Sequence, residues 1–196
     1  MVNYSLYPIC DSCLLIDLRH IEKFDKYLEF RKRIYVADKV KDELLYVLEK
    51  KYKGYEHYLD ILKEDNLIII EAEKYFTVDK LSVIKANLRL YNFKNVVGTK
   101  NQANDVGEFV SAFYAIELGI KELITSDYKF INKYKNDPTF KNLIMKGRNS
   151  ILRDFLDDEE RKKCMSELIL EKRKMDESKN VEVLLNKLCD KFNKRL

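Results

Sequence analysis

Four acidic residues stand where a carboxylate could hold a divalent cation: Asp11, Glu43, Glu108 and Asp127. Asp11 and Asp127 each close a short apolar run, in "LYPICD" and "LITSD", and each precedes a stretch with helical spacing. Glu43 lies three residues after Val40 and four before Val47, so it falls within or beside the apolar stripe of its helix. Glu108 leads a face of small residues, Ser111, Ala112, Ala115 and Gly119, that lets a helix come close to a sheet. Carboxylates clustered without a lysine or arginine among them repel one another, and a divalent cation relieves that repulsion. Hard oxygen donors favour Mg2+ or Mn2+ over zinc. The chemistry such a set serves is metal-assisted phosphodiester hydrolysis.

Each residue also has a purely structural reading. Asp11 and Asp127 suit helix N-caps, at Ser12 and Tyr128 respectively. Asp105 and Glu108 have capping-box spacing. Glu43 could ride the edge of its stripe into water. Cys10 and Cys13 flank Asp11 as C-x-x-C, which raises thiol redox chemistry for the same stretch. Cys13, however, runs into the apolar series Leu14, Leu15, Ile16, and small buried cysteines are common in cores.

The elements that must position these groups alternate. "LYPIC" (6–10), "RIYVA" (33–37), "LIIIEAE" (67–73) and "ELITS" (122–126) read as buried strands, and "NLIMK" (142–146) is a weaker fifth. Helical spacing begins at Leu14 and runs toward Phe24. It recurs over Val40–Leu48, Tyr55–Leu62, Leu81–Leu88 and Val106–Leu118. Strands alternating with helices predict a three-layer α/β/α domain on a mainly parallel sheet of four or five strands. In such sheets the functional crevice lies beyond the carboxyl ends of the strands. We expect this domain over 1–146 and a charged helical extension over 147–196, as two helices broken near 178–180 that pack on the same domain or at a dimer interface.

The chain has 196 residues, 37 basic against 33 acidic, for a formal charge of +4. That balance permits nucleic-acid binding without requiring it. No apolar run approaches the roughly 20 residues of a membrane span. Four cysteines and no basic start with an apolar core at the N-terminus predict a reducing, cytoplasmic setting. Zinc is disfavoured, because Cys164 and Cys189 are far from the close pair and His20 and His57 have no ligand spacing. A G-x-S-x-G elbow and a Gly-rich phosphate loop are both missing, against a serine hydrolase, a kinase or a Rossmann dehydrogenase.

In order and spacing the motifs resemble the PIN domain, a nuclease fold with a central parallel sheet and an acidic, divalent-metal site. The resemblance is carried by "CDSCLLIDL", similar to that family's D-x-S/T-x-L-I-D-L, then "VADKVKDELL", then "GEFVSAFYAIELGIKELITSD". It spans residues 1 to about 146. It implies Asp11, Glu43, Glu108 and Asp127 as the metal-binding and catalytic set, Mg2+ or Mn2+ as cofactor, and RNA as substrate. Many PIN domains are toxins of toxin–antitoxin pairs, so it also implies an antitoxin as partner; a homodimer fits the C-terminal helices. Where many relatives carry a further acidic residue two positions after Glu108, this sequence has Val110.

The rival expectation is a PIN-like module that binds RNA or protein without cutting. Lys94, Lys100, Lys129, Lys133 and Lys135 flank the expected crevice in sequence, and Tyr128, Phe130 and Tyr134 interleave with three of them. Such a mixture can hold a nucleic-acid backbone and stack bases, or the rings can simply pack.

Overall fold

The four residues of "IYVA", Ile34–Ala37, are buried along their whole length. A strand covered on both faces needs such an unbroken apolar run. In the computed structural model, which describes residues 3–50, 56–93 and 106–170, this is β2 of a five-stranded sheet. The others are β1 (Ile9–Cys10), β3 (Leu67–Ile70), β4 (Glu122–Thr125) and β5 (Ile144–Gly147). All neighbours pair in parallel, in the order β3-β2-β1-β4-β5. The expected α/β/α layering on a parallel sheet is what the chain forms, and the weak fifth segment is a full member of the sheet.

The helices are α1 (Ser12–His20), α2 (Phe24–Arg31), α3 (Asp38–Lys50), α4 (Ala72–Tyr75), α5 (Val78–Leu90), α6 (Val106–Leu118), α7 (Tyr128–Tyr134) and α8 (Arg148–Phe155). Three-ten turns cover Tyr4–Leu6, Glu56–Lys63 and Pro138–Phe140. The helix expected from Leu14 toward Phe24 ends at His20, and α2, which begins at Phe24, is an additional helix. Ile21 closes α1 and Glu22 takes a positive φ of 54°, which turns the chain before α2. The apolar periodicity near Leu62 belongs to a three-ten segment rather than an α-helix. The first strand is also shorter than its apolar run, because Tyr4–Leu6 turns instead of extending.

Helix α6 is buried from Val106 through Ala115 and packs against β1, β2 and β4 as well as α3 and α5. Its small residues Ala112 and Ala115 are fully buried. On it rests an aromatic cluster in which Phe109 meets Tyr91, Phe130 and Tyr134 with ring centroids 4.7 to 5.1 Å apart.

Residues Met1–Phe155 form one compact unit and Leu156–Leu196 a second. Within the second, a helix covers 158–170, with an Arg161–Asp158 ion pair of 2.8 Å on one turn. Tyr55, Lys94, Lys100, Asp105 and the segment 171–196, with Cys189, Val183, Leu184, Leu188 and Phe192, lie outside the described residues, as do the side chains of Val47, Leu48, His57 and Leu59. Among the described residues no helix is long and apolar enough to cross a membrane.

Candidate active site

The sheet order decides where a ligand would go. From β1 the chain winds outward to β2 and β3, then crosses back to β4 and β5 on the other side of β1. The direction of winding therefore reverses between β1 and β4, and a crevice opens beyond their carboxyl ends. Asp11 is the residue after β1. Its backbone N–H donates to the Ile124 carbonyl at 2.9 Å, which continues the β1–β4 ladder by one step. Ser126 and Asp127 follow β4 directly, so two of the four candidate residues meet here although they lie far apart in sequence.

Asp11 is both cap and buried charge. It is 1% exposed. Its Oδ2 accepts from the Cys13 N–H and from the Thr125 hydroxyl, each at 3.2 Å, and its Oδ1 from the Ser12 hydroxyl at 3.4 Å. Burial raises its carboxyl above the usual range, and the hydrogen bonds from Ser12, Cys13 and Thr125 only partly offset that.

Glu43 comes to the same place from α3. Burial, and next the charge of Asp11, push it up to about 7, while the Lys39 ammonium one turn earlier and the Gly107 N–H pull the other way. Glu43 therefore turns inward from its stripe, half-buried rather than free in water. The Gly107 contact gives it a structural task as well, because the N–H belongs to the first turn of α6, whose positive end favours a carboxylate. A Cβ at Gly107 would lie 3.0 Å from Glu43 Cδ and closer still to its Oε2. Only glycine lets Glu43 reach this position undisturbed.

Glu108 is 7% exposed on the next residue of α6. The negative charge of Asp11, and after it those of Glu108 and Asp17, hold the thiol of Cys13, an exposed residue, well above its ordinary value. Ser111, one turn along α6 from Glu108, is fully buried, and its Oγ has no hydrogen-bond partner among the described residues. Val110 is 1% exposed and sits about 200° around the helix from Glu108. A carboxylate at that position would enter the core rather than join Glu108.

Asp127 keeps more contact with water. Its Oδ1 caps α7, accepting from Lys129 N–H at 2.7 Å and Phe130 N–H at 3.1 Å. Both cap bonds fall on one oxygen, which leaves Oδ2 directed elsewhere. The Thr125 hydroxyl joins the two aspartates, donating to Asp11 and accepting from the Asp127 N–H at 3.0 Å. Asp17 holds the far side, accepting from the Ser126 hydroxyl at 2.6 Å and from the Arg148 guanidinium at 2.7 Å. Sequence reasoning passed over Thr125, Gly107 and Asp17. The "G-E" and "T-S-D" neighbours were visible signals, but what each touches was not.

A divalent cation suits this donor set: all hard oxygens, two raised by burial, and an unpartnered hydroxyl close by in the chain. Among the described residues, though, no three His, Cys, Asp or Glu side chains converge tightly enough to form a ready metal cage. The charge of Asp11 is felt at Glu43 and at Cys13, but among the described residues the carboxylates do not close around one point. The redox reading finds no support in the thiols. Burial pushes Cys10 up to about 12, its Sγ lies 3.8 Å from the Tyr27 hydroxyl, and Asp11 suppresses ionisation of Cys13. A reactive thiol needs the opposite shift.

No protein-family model matches the sequence, and no curated protein matches it. Among solved structures, the chain is similar to the crystal structure of VapBC2 from Rickettsia felis bound to a DNA fragment from their promoter. The identity is 22%, the match covers 72% of this chain and 98% of that one, and the TM-score is 0.48.

Proposed function

We propose that the chain is a divalent-metal-dependent endoribonuclease of PIN-like architecture. The observation that carries this reading is the pair Asp11, buried at the reversal point of the sheet, and Glu43, half-buried and raised in part by the charge of Asp11. Keeping two such charges there is costly without a function that uses them. Asp11, Glu43 and Glu108 would hold Mg2+ or Mn2+, and Asp127 would add Oδ2 from the rim. The ion would supply an activated water and charge stabilisation on an RNA phosphate. Thr125 keeps Asp11 and Asp127 in register, and Lys129 and Lys133 lend positive charge to a polyanion.

Cleavage of a mixed pool of structured and single-stranded RNA, with Mn2+ and then with EDTA, tests the reading. Cutting that EDTA abolishes is the expected result. A folded protein that leaves every RNA intact with Mn2+ would sink it.

The lack of a ready three-ligand cage favours one rival, a module that binds RNA without hydrolysing it. RNA retention without cleavage is its signature. Pairing with an antitoxin rests on the family resemblance alone. On that reading, induction arrests growth and Asp11→Asn does not.

Gly107→Ala separates the site from the scaffold. The new Cβ meets the far end of Glu43, a side chain that can swing away, and alanine gains about 1 kcal/mol of helix propensity over glycine. The melting temperature should therefore hold within a few degrees. The upward shift that Mn2+ produces in wild type should shrink strongly, because Glu43 has been displaced. Thermal melts with and without Mn2+ check both halves.

A further inference from the structure

Of the three aromatic residues interleaved with lysines after β4, the core takes Phe130 and the half-buried Tyr134 packs against it. Phe130 is 1% exposed, and Tyr134 packs on Phe109 and Phe130 with centroids 4.8 and 5.0 Å away. Tyr128, the residue after Asp127, stays 43% exposed. It is exposed and yet fixed. Its ring lies over Gly147, the last residue of β5, where a Cβ would come within 2.8 Å of Cε1 and 3.0 Å of Cζ. Its hydroxyl accepts the Asn149 N–H at 3.0 Å. Between those two contacts, Arg148 reaches Asp17, which Ser126 also holds. The residues on both sides of Asp127 are thus tied to the start of α8.

A glycine that leaves backbone bare at the end of a strand and a large ring left in water are both unfavourable for stability. Together they make a flat aromatic face, backed by main chain and held at its hydroxyl, open on the side away from Gly147. Such a face, beside the acidic site and next to Lys129 and Arg148, suits a nucleobase, since every base presents a π-face for stacking. Bases in a duplex are already stacked on their neighbours and cannot supply one.

We propose that Tyr128 is a stacking platform for an unpaired base of the RNA strand whose phosphate lies at the acidic site. This rests on the ribonuclease reading for the identity of the strand.

The test is binding of labelled single-stranded RNA octamers and of the matching duplex by fluorescence anisotropy, in Asp11→Asn protein so that nothing is cut. Tyr128→Leu keeps the Gly147 backbone covered but has no π-face; Tyr128→Phe keeps the face and loses the hydroxyl. Leu should weaken single-strand binding roughly tenfold and Phe by no more than about twofold, with duplex binding unchanged by either. An RNA made abasic at the stacked position should bind the Leu and Tyr forms equally, a readout independent of protein folding. Equal single-strand affinity of the Leu and Tyr forms would overturn the platform. So would loss of self-association in Tyr128→Leu with RNA affinity retained, which would assign the ring to a protein interface. Cleavage by protein with Asp11 intact separates the two claims. Metal-dependent cutting with Leu equal to Tyr removes only the platform. Tyr128-dependent binding without cutting removes only the nuclease.

Discussion

Asp11→Asn is expected to lower metal-dependent RNA cleavage by about 10²- to 10³-fold while leaving the fold at wild-type stability or above it, on the scale of losing a preorganised electrostatic group. The amide keeps the side chain's shape and one carbonyl oxygen, so the cap on Cys13 N–H can persist. What disappears is a buried charge that the protein raises above its ordinary pKa, and removing it relieves a cost. Activity and stability should therefore move apart, as they do where a site is maintained against the fold's preference. The checks are initial cleavage rates with Mn2+ and thermal melts with EDTA. Wild-type cleavage by the variant would remove Asp11 from the site. A collapse in melting temperature would make its role structural. Asp127→Asn should also lose cleavage, and its α7 cap should survive because asparagine caps as well as aspartate.

Metal-free protein should lose stability as the pH rises from about 4.5 to above 7, by on the order of 2 kcal/mol, and Glu43→Gln should flatten that slope. The sign follows from Glu43, which titrates at about 7 in the folded chain against an ordinary 4.5. Below 4.5 both states hold the proton, and the contribution is fully present. Between the two values only the folded state holds it, so each step up in pH favours unfolding. Above 7 the folded carboxylate is ionised against its surroundings and the loss is complete. Asp11, raised by burial, adds a slope of the same sign. Mn2+ at pH 8 should restore what ionisation removes, because a cation stabilises the charged forms. Urea unfolding at pH 5 and pH 8, each with EDTA and with Mn2+, measures all of this. A wild type whose stability rises with pH in EDTA would show that Glu43 does not carry its charge in a buried pocket.

What the sequence determined by itself is the local part. The apolar run at 34–37 is a strand buried on both faces because a segment without a polar face has to be covered, and the short aliphatic runs within 67–70 and 122–125 form strands beside it in the same sheet. Asp11 and Asp127 cap helices because a short acidic side chain before a helical stretch satisfies its first N–H groups, whatever the rest of the chain does. Helical periodicity put Glu43 within or beside an apolar stripe, which left an inward carboxylate and one at the stripe's edge in water both open.

The tertiary structure decided everything that depends on distant segments meeting. Local pattern says nothing about strand order, and it is the pairing of β1 with β4 that sets Asp11 beside Thr125 and Asp127. Gly107 looked like part of a helix start, and only the packing of α3 on α6 makes it the residue that admits Glu43. Lysine and aromatic residues alternating after β4 could have been one binding strip. Burial sends Phe130 and Tyr134 into the cluster around Phe109 and leaves Tyr128 outside on Gly147. The C-x-x-C offered a redox site until the carboxylates gathered around Cys13 turned its thiol the wrong way. In each case the deciding quantity is an electrostatic or steric contact across the fold, which no spacing within a single segment can encode.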